Sequence, residues 1–357
     1  MQRTTLAGVI AGFALVLGAC GDDANDAGAS DVAVPAVAEA ADPAEPTDEM
    51  TDPTDMNESA VTTIAPASTE EPTTTEAPPA TTEAPSTTDP AADPDFPQAI
   101  ISLSPTATEM LYAIGAEPQV LAVDDLSNHP PEAADEMQGL SAFEPNVEAI
   151  AGLDPDLVIT DGTNPDFLAQ LDTLGIPHWE GPAATSFEDV YEQIEQLGAA
   201  TGNDESAAAL VAEMRQEVDE ILASIPALDE PLTYYHELDP TYYSVTSDTF
   251  IGAVYEVVGL VNIADAVGDG TSYPQLSAEF ILDQNPDLIF LACTKYCGET
   301  AESVAGRDGW SSLDAVQNGH VIEMDDDIAS RWGPRIVEYL GDVGEAVIDV
   351  TSAAADG

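Results

Sequence analysis

The chain has 357 residues, with 68 Asp and Glu against six Lys and Arg, giving a formal net charge of -62. A field so negative excludes nucleic acid and anionic membrane surfaces as partners. It fits a saline habitat or a preference for cations.

The chain begins with one Arg, an apolar stretch over residues 6–17, and small residues leading to Cys20. That is the pattern of a signal peptide over 1–19, too short and wrongly flanked for a membrane span. Leu17-Gly18-Ala19-Cys20 resembles the lipobox of bacterial lipoproteins, which predicts a lipid on the Cys20 thiol and a mature protein tethered outside the cell membrane. Residues 21–96 then carry 19 Asp or Glu, no Lys or Arg, and repeated Pro, Thr and Ala. Such a segment cannot bury enough apolar surface to offset its ordering entropy. Residues 20–96 are therefore expected to form a disordered acidic stalk with a reach on the order of 50 Å.

Beyond it, strand-like apolar runs alternate with amphipathic helical segments, which predicts α/β architecture with mainly parallel sheets. Strands are expected at 98–104, 120–123, 156–160 and 176–179, with a helix from Pro105. A long helical stretch follows Ser186, broken once at Thr201-Gly202-Asn203. Its second part, 204–224, would span about 31 Å. Further strands are expected at 233–237, 287–292 and 321–324, and helices near 249–259, 277–284 and 334–350. This divides the chain into a first lobe (97–200), a connecting helix (201–226), a second lobe (227–350) and a tail (351–357).

An internal echo relates the lobes. PNVEAIAGLDPDLVIT, from Pro145, superposes on LSAEFILDQNPDLIFLA, from Leu276, so that Glu148 meets Glu279, 131 residues later. Each unit offers a polar N-cap (Asn146, Ser277), a Glu two residues on, and Pro-Asp-Leu opening a buried strand.

SLSPTATEMLYAIGA, AVDDLSNHPPEA, PNVEAIAGLDPDLVI, YPQLSAEFILDQNPDLIF and IASRWGPRI follow one another in an order that resembles the iron-siderophore and vitamin B12 substrate-binding proteins of ABC importers, most closely the B12 binders. The resemblance implies a class III binding protein. Two α/β lobes would be joined by a rigid helix, with a small-molecule ligand in the cleft and little hinge motion. It implies a monomer that delivers a cobalamin-like corrinoid, or alternatively haem or a ferric siderophore, to permease subunits. A surface sensor or adhesion module on the same fold is the alternative of a different class. Glu148 and Glu279 match the two surface carboxylates that dock on permease arginines; a Glu in a helix's first turn also simply complements the dipole.

For the cleft, Phe143 and Trp332 match aromatic positions of the B12 binders, and Tyr242, Tyr243 and Tyr273 lie in loops after strands. His129 stands where those proteins commonly carry Tyr and offers an imidazole to a metal centre or an amide. Loop packing is the alternative for each. Arg331 and Arg335 are expected to pair with carboxylates and hold a loop. No G-x-S-x-G, H-E-x-x-H or phosphate loop is present, so no catalytic residue, bound metal or cofactor is expected and the chain does not read as an enzyme. Cys293 and Cys297 flank Lys295, the only lysine. A C-x3-C pair is too small a set for a closed metal site. Outside the membrane it reads as a local disulfide, with free thiols as the alternative. Lys295 is then a cation at the cleft rim or a solvated side chain.

Overall fold

The computed structural model describes residues 95–356 apart from Asp229 and Asp269. The leader, Cys20 and the stalk up to residue 94 lie outside the described residues. From Ile100 the chain runs β1 (Ile100–Ser102), α1 (Pro105–Ala113), β2 (Val120–Asp124), β3 (Met137–Leu140), α2 (Val147–Gly152), β4 (Leu157–Thr160), α3 (Pro165–Leu174), β5 (His178–Glu180) and α4 (Phe187–Thr201). The strands form one parallel sheet in the order β3-β2-β1-β4-β5. After α5 (Asp204–Ser224) come β6 (Thr233–Glu237), α6 (Phe250–Val258), β7 (Val261–Asn262), α7 (Ala278–Gln284), β8 (Leu288–Leu291), α8 (Ala301–Ala305), α9 (Asp314–Asn318), β9 (Val321–Glu323), α10 (Asp326–Ala329) and α11 (Ile336–Asp356). Their sheet, also parallel, has the order β7-β6-β8-β9.

Successive residues of a strand point to opposite faces, and a parallel sheet covered on both sides buries both sets. Ile100 and Ile159 enter a core shared by both lobes, whereas Ile101 and Val158 enter an outer core under α3. In the second lobe Leu288 and Phe290 join the shared core, and Ile289 and Leu291 pack outward with Trp310. Each fully buried side chain of this size stabilises the fold by about 1.5–3 kcal/mol.

The break between α4 and α5 is local. Gly202 adopts φ 77°, and a Cβ there would lie 2.6 Å from the Phe96 ring, so only glycine admits both the turn and the approach. Helix α5 buries Ala207, Val211 and Met214, with Ala207 against Gly198 of α4, and Ile221 and the following Ile225 against Gly344 of α11. It thus lies on elements of both lobes.

The internal echo has a structural meaning. In each copy a left-handed residue follows the short helix at the equivalent position, Asp154 at φ 55° and Asn285 at φ 46°. The Asp of Pro-Asp-Leu then anchors the neighbouring strand. Asp156 accepts from the Gln98 and Ala99 amides at 2.8 and 2.9 Å, and Asp287 accepts from the Thr233 amide and hydroxyl at 2.7 and 2.8 Å.

Several elements differ from expectation. Strands β1 and β8 are shorter than predicted: Leu103 and Ser104 belong to the cleft loop after β1, and at the amino ends the Ala99 and Asp287 amides donate to the Asp156 and Thr233 side chains. Edge strands β3 and β7 were not anticipated, nor were α3, α8, α9 and α10. The last helix begins at Ile336, since Pro334 and Arg335 belong to the preceding loop.

Candidate functional site

A cleft of about 730 Å³ opens between the lobes, a size typical of small-molecule sites. The first lobe lines it with Leu103–Thr106 after β1, Leu126 after β2, Ala142 and Phe143 after β3, and Asp161, Thr163 and Asn164 after β4. The second lobe adds Tyr296 after β8, and Asp327 and Ser330–Trp332 after β9. All leave the carboxyl ends of their strands, where open parallel sheets present their crevice.

The walls are apolar and aromatic. Phe143 is 80% exposed and Tyr296 61%, large faces that the protein itself leaves uncovered. Trp332 is held from behind: its indole N–H donates to Gln193 Oε1 at 3.0 Å, and its ring packs on Phe250 with centroids 5.5 Å apart.

A charged network ties the lobes together at the floor. Glu109, on α1 and 3% exposed, accepts from Arg331 Nη1 at 2.8 Å and from Arg335 Nε and Nη2 at 2.9 and 2.5 Å. Arg331 also donates to Asn128 Oδ1 at 2.9 Å, the Leu126 carbonyl at 3.0 Å and Asp327 Oδ1 at 3.1 Å. Asp327 accepts in turn from Lys295 Nζ at 2.6 Å, Tyr296 Oη at 2.9 Å and Asn128 Nδ2 at 3.0 Å. Burial opposes ionisation of Asp327, but the Lys295 hydrogen bond, the Arg331 charge and the Tyr296 and Asn128 donors outweigh it and hold its pKa at about 2. Neighbouring Asp326 accepts from the amides of Thr294, Lys295 and Tyr296 at 2.7, 3.1 and 3.0 Å. That fixes the backbone of the loop on which Tyr296 stands.

Cys293 and Cys297 are joined as a disulfide in this same loop. Beyond it Glu299 accepts from Arg307 at 2.7 Å, and Arg307 also clasps buried Glu237 through two 2.6 Å contacts. The loop is therefore held at three points: the cystine, Asp326 and Arg307.

The expected residues are only partly brought together. Phe143 and Trp332 line the cleft; Arg331 and Arg335 pair with carboxylates and hold the loop before α11. Lys295 does not line the cleft, because Asp327 draws its ammonium aside; Tyr296, next in sequence, takes the wall. His129 lines a separate hollow with Tyr112, Glu117 and Glu132, because Asn128 is drawn to Asp327 and Arg331 and the chain turns beyond it. Tyr242 is turned into the second lobe by a left-handed backbone, φ 70°, and stacks on Trp310 at 5.7 Å. Tyr243 and Tyr273 are 41% and 45% exposed but do not line the cleft. Tyr243 pairs instead with Gln275.

Glu148 and Glu279 are exposed in the first turns of α2 and α7, whose N-caps Asn146 and Ser277 each accept an amide of that turn. Neither carboxylate has an ion-pair or hydrogen-bond partner among the described residues. No cluster of three or more His, Cys, Asp or Glu among the described residues is arranged to hold a metal ion. Sequence reasoning missed Tyr296, Asp161, Asp327, Asn128 and Glu109. An exposed aromatic between two cysteines was a usable signal for Tyr296; nothing local marks the others.

Comparison with known proteins follows the same lines. Residues 100–328 match the family described as periplasmic binding protein. A cobalamin-binding protein of Halobacterium salinarum is 33% identical over 262 residues, 71% of this chain and 70% of that protein. An uncharacterized ABC transporter substrate-binding lipoprotein of Bacillus subtilis, YvrC, is 31% identical over 259 residues, 70% of this chain and 80% of that protein. Among solved structures, the periplasmic vitamin B12 binding protein BtuF of Vibrio cholerae aligns with TM-score 0.61 and 27% identity, covering 72% of this chain and 99% of that one.

Proposed function

The chain belongs to the periplasmic binding protein family, and on that premise we propose that it is a lipid-anchored, extracytoplasmic carrier that delivers a cobalamin-like corrinoid to an ABC importer. The observation that carries this reading is the cleft wall. Phe143 and Tyr296 expose aromatic faces and Trp332 is braced beside them, an arrangement suited to a broad macrocycle. The names of the similar Halobacterium and Vibrio proteins support the same cargo.

The partner is the permease, met through Glu148 and Glu279. They occupy equivalent turns of the internal repeat, and a duplicated pair of carboxylates suits a twofold transporter mouth, where charge complementarity sets register and on-rate. Cys20 supplies the anchor, and the acidic stalk spans the distance to the membrane.

Calorimetry in high salt against cyanocobalamin, haemin and ferric siderophores tests the cargo, with the visible spectrum identifying what is retained. Cyanocobalamin is expected to bind, and Phe143→Ala and Trp332→Ala should each weaken it by about ten- to a hundredfold, as expected for a buried aromatic contact of ~1.5–3 kcal/mol. Retention of haemin or a siderophore in its place would move the protein to iron supply. Failure of all three would remove the carrier reading.

A further inference from the structure

Every Lys and Arg among the described residues already has its charge on a carboxylate. Arg215 meets Glu188 at 2.7 Å, Lys295 meets Asp327 at 2.6 Å, Arg307 meets Glu237 and Glu299 at 2.6 and 2.7 Å, and Arg331 and Arg335 share Glu109. Arg331 is the only one that lines the cleft, and all four N–H groups on its terminal nitrogens face partners: Glu109, Asn128, Leu126 and Asp327. The histidines offer no substitute. His236 is fully buried, His178 lies beside Glu180 at 3.6 Å, His129 belongs to the other hollow and His320 is remote from the cleft lining.

On the opposite wall stands a carboxylate in the reverse situation. Asp161, just after β4, lines the cleft; its Oδ1 accepts from the Thr163 amide at 2.9 Å and hydroxyl at 2.8 Å. Its Oδ2 has no partner among the described residues, and no cation faces it. Asp327, across the cleft, has its two oxygens engaged by four donors and accepts nothing more.

We infer that the cleft selects its cargo by charge, with Asp161 as the specificity-determining residue that accepts an amide or amine N–H from the ligand and repels a ligand carboxylate. The inference rests on reading the cleft as the cargo site. It deepens that reading by naming the ligand class: uncharged or cationic macrocycles bearing N–H donors, as distinct from the propionates of haem or the anionic catecholate complexes of iron. A site whose cations are already committed to its own carboxylates has no free positive charge to compensate a ligand carboxylate, so the anion keeps most of the cost of leaving water.

The test compares ligand pairs that differ in charge and little else. The first pair is cyanocobalamin and its monocarboxylic acids, in which one side-chain amide is an acid. The second is a ferric trihydroxamate and a ferric tris-catecholate. In the wild type the less anionic member of whichever pair binds should be retained at least about tenfold more tightly, the scale of one unscreened charge contact in a partly buried site. Asp161→Asn should bring that ratio close to one, and Asp161→Lys should invert it. An acid bound as tightly as its amide parent, or a ratio untouched by both substitutions, overturns the inference. If neither corrinoid binds, the cargo assignment fails and the iron pair decides the charge rule. Retention of the catecholate alone, or of none of the four, sinks both.

Discussion

Replacing Glu109 with Ala removes the carboxylate that joins the lobes at the cleft floor. Its side chain is 2% exposed and serves two guanidinium groups that are themselves 8% and 13% exposed. Breaking a buried ion pair from one side costs about 3–5 kcal/mol, because the surviving charge stays buried without compensation. Here Arg331 keeps Asp327, Asn128 and the Leu126 carbonyl, while Arg335 loses the only carboxylate it contacts among the described residues. The lower end applies, about 3 kcal/mol, and Glu109→Gln, which keeps an acceptor, should lose about half of that. Urea denaturation extrapolated to water measures both, and Arg335→Met on the Ala background should recover part of the loss. Arg215–Glu188 is the internal control. Its members are 48% and 60% exposed, so its removal should cost under about 1 kcal/mol and matter less in high salt, whereas the Glu109 effect should persist there. A loss below about 1 kcal/mol for Glu109→Ala, or one that high salt abolishes, would refute the claim that this network fastens the lobes.

Charge reversal of both Glu148 and Glu279 should abolish uptake through the permease while leaving calorimetric ligand affinity unchanged; a fall in affinity would place them in the wrong role. Serine at Cys293 and Cys297 opens a short loop, worth about 2 kcal/mol at most. Ligand affinity should fall with it, since Tyr296 stands inside that loop; thermal unfolding and calorimetry separate the two effects, and unchanged affinity would make the cystine purely structural. His236 is fully buried with Nδ1 2.8 Å from Tyr255 Oη, and burial lowers its pKa from 6.5 to about 3. Between those values the unfolded chain binds the extra proton, so stability is full above pH 6.5 and falls as pH drops toward 3, by at most about 1.4 kcal/mol per pH unit. His236→Gln should flatten that part of the urea-derived stability profile; an identical slope in the variant would show that other groups govern it.

Much of the fold was legible because its signals are local. The buried strands β2, β4 and β8 are short runs dominated by Val, Ile, Leu and Phe, and β6 carries the buried pair Tyr234-Tyr235. The helix breaks at Gly202 and Gly259 carry left-handed glycines. Strand β3 was not legible: Met-Gln-Gly-Leu lies at a sheet edge with Gln138 and Gly139 exposed, so no alternation marks it. Helix α3 carried Asn164, Pro165 and Gly175 as cap, first-turn and stop signals, which could have been read. The site divides similarly. Phe143 and Trp332 were found through family resemblance, and Arg331 and Arg335 through the scarcity of positive charge. Glu109 was hidden because its partners lie 222 and 226 residues away, and spacing carries no trace of such a pair. Tyr242 misled because its place after β6 suggested the cleft, whereas its backbone conformation turned the ring onto Trp310.

Besides the core they share, the two lobes are attached by α5 along one side and by the Glu109 arginine pair at the cleft floor. A single connection would allow one lobe to swing about it; a second, placed elsewhere, turns any swing into stretching of buried ion pairs. On the proposed function, the loaded carrier then keeps the outline of the empty one. An importer served by such a carrier would not sense occupancy from a closing jaw and would read it at the rim, where the proposed cargo would cover Phe143 and Tyr296. On the same reading, empty carriers would present the same two carboxylates as full ones and would contend for the same transporter mouths. Uptake would then depend on what fraction of the carrier population is loaded, and surplus protein without cargo would act as a brake.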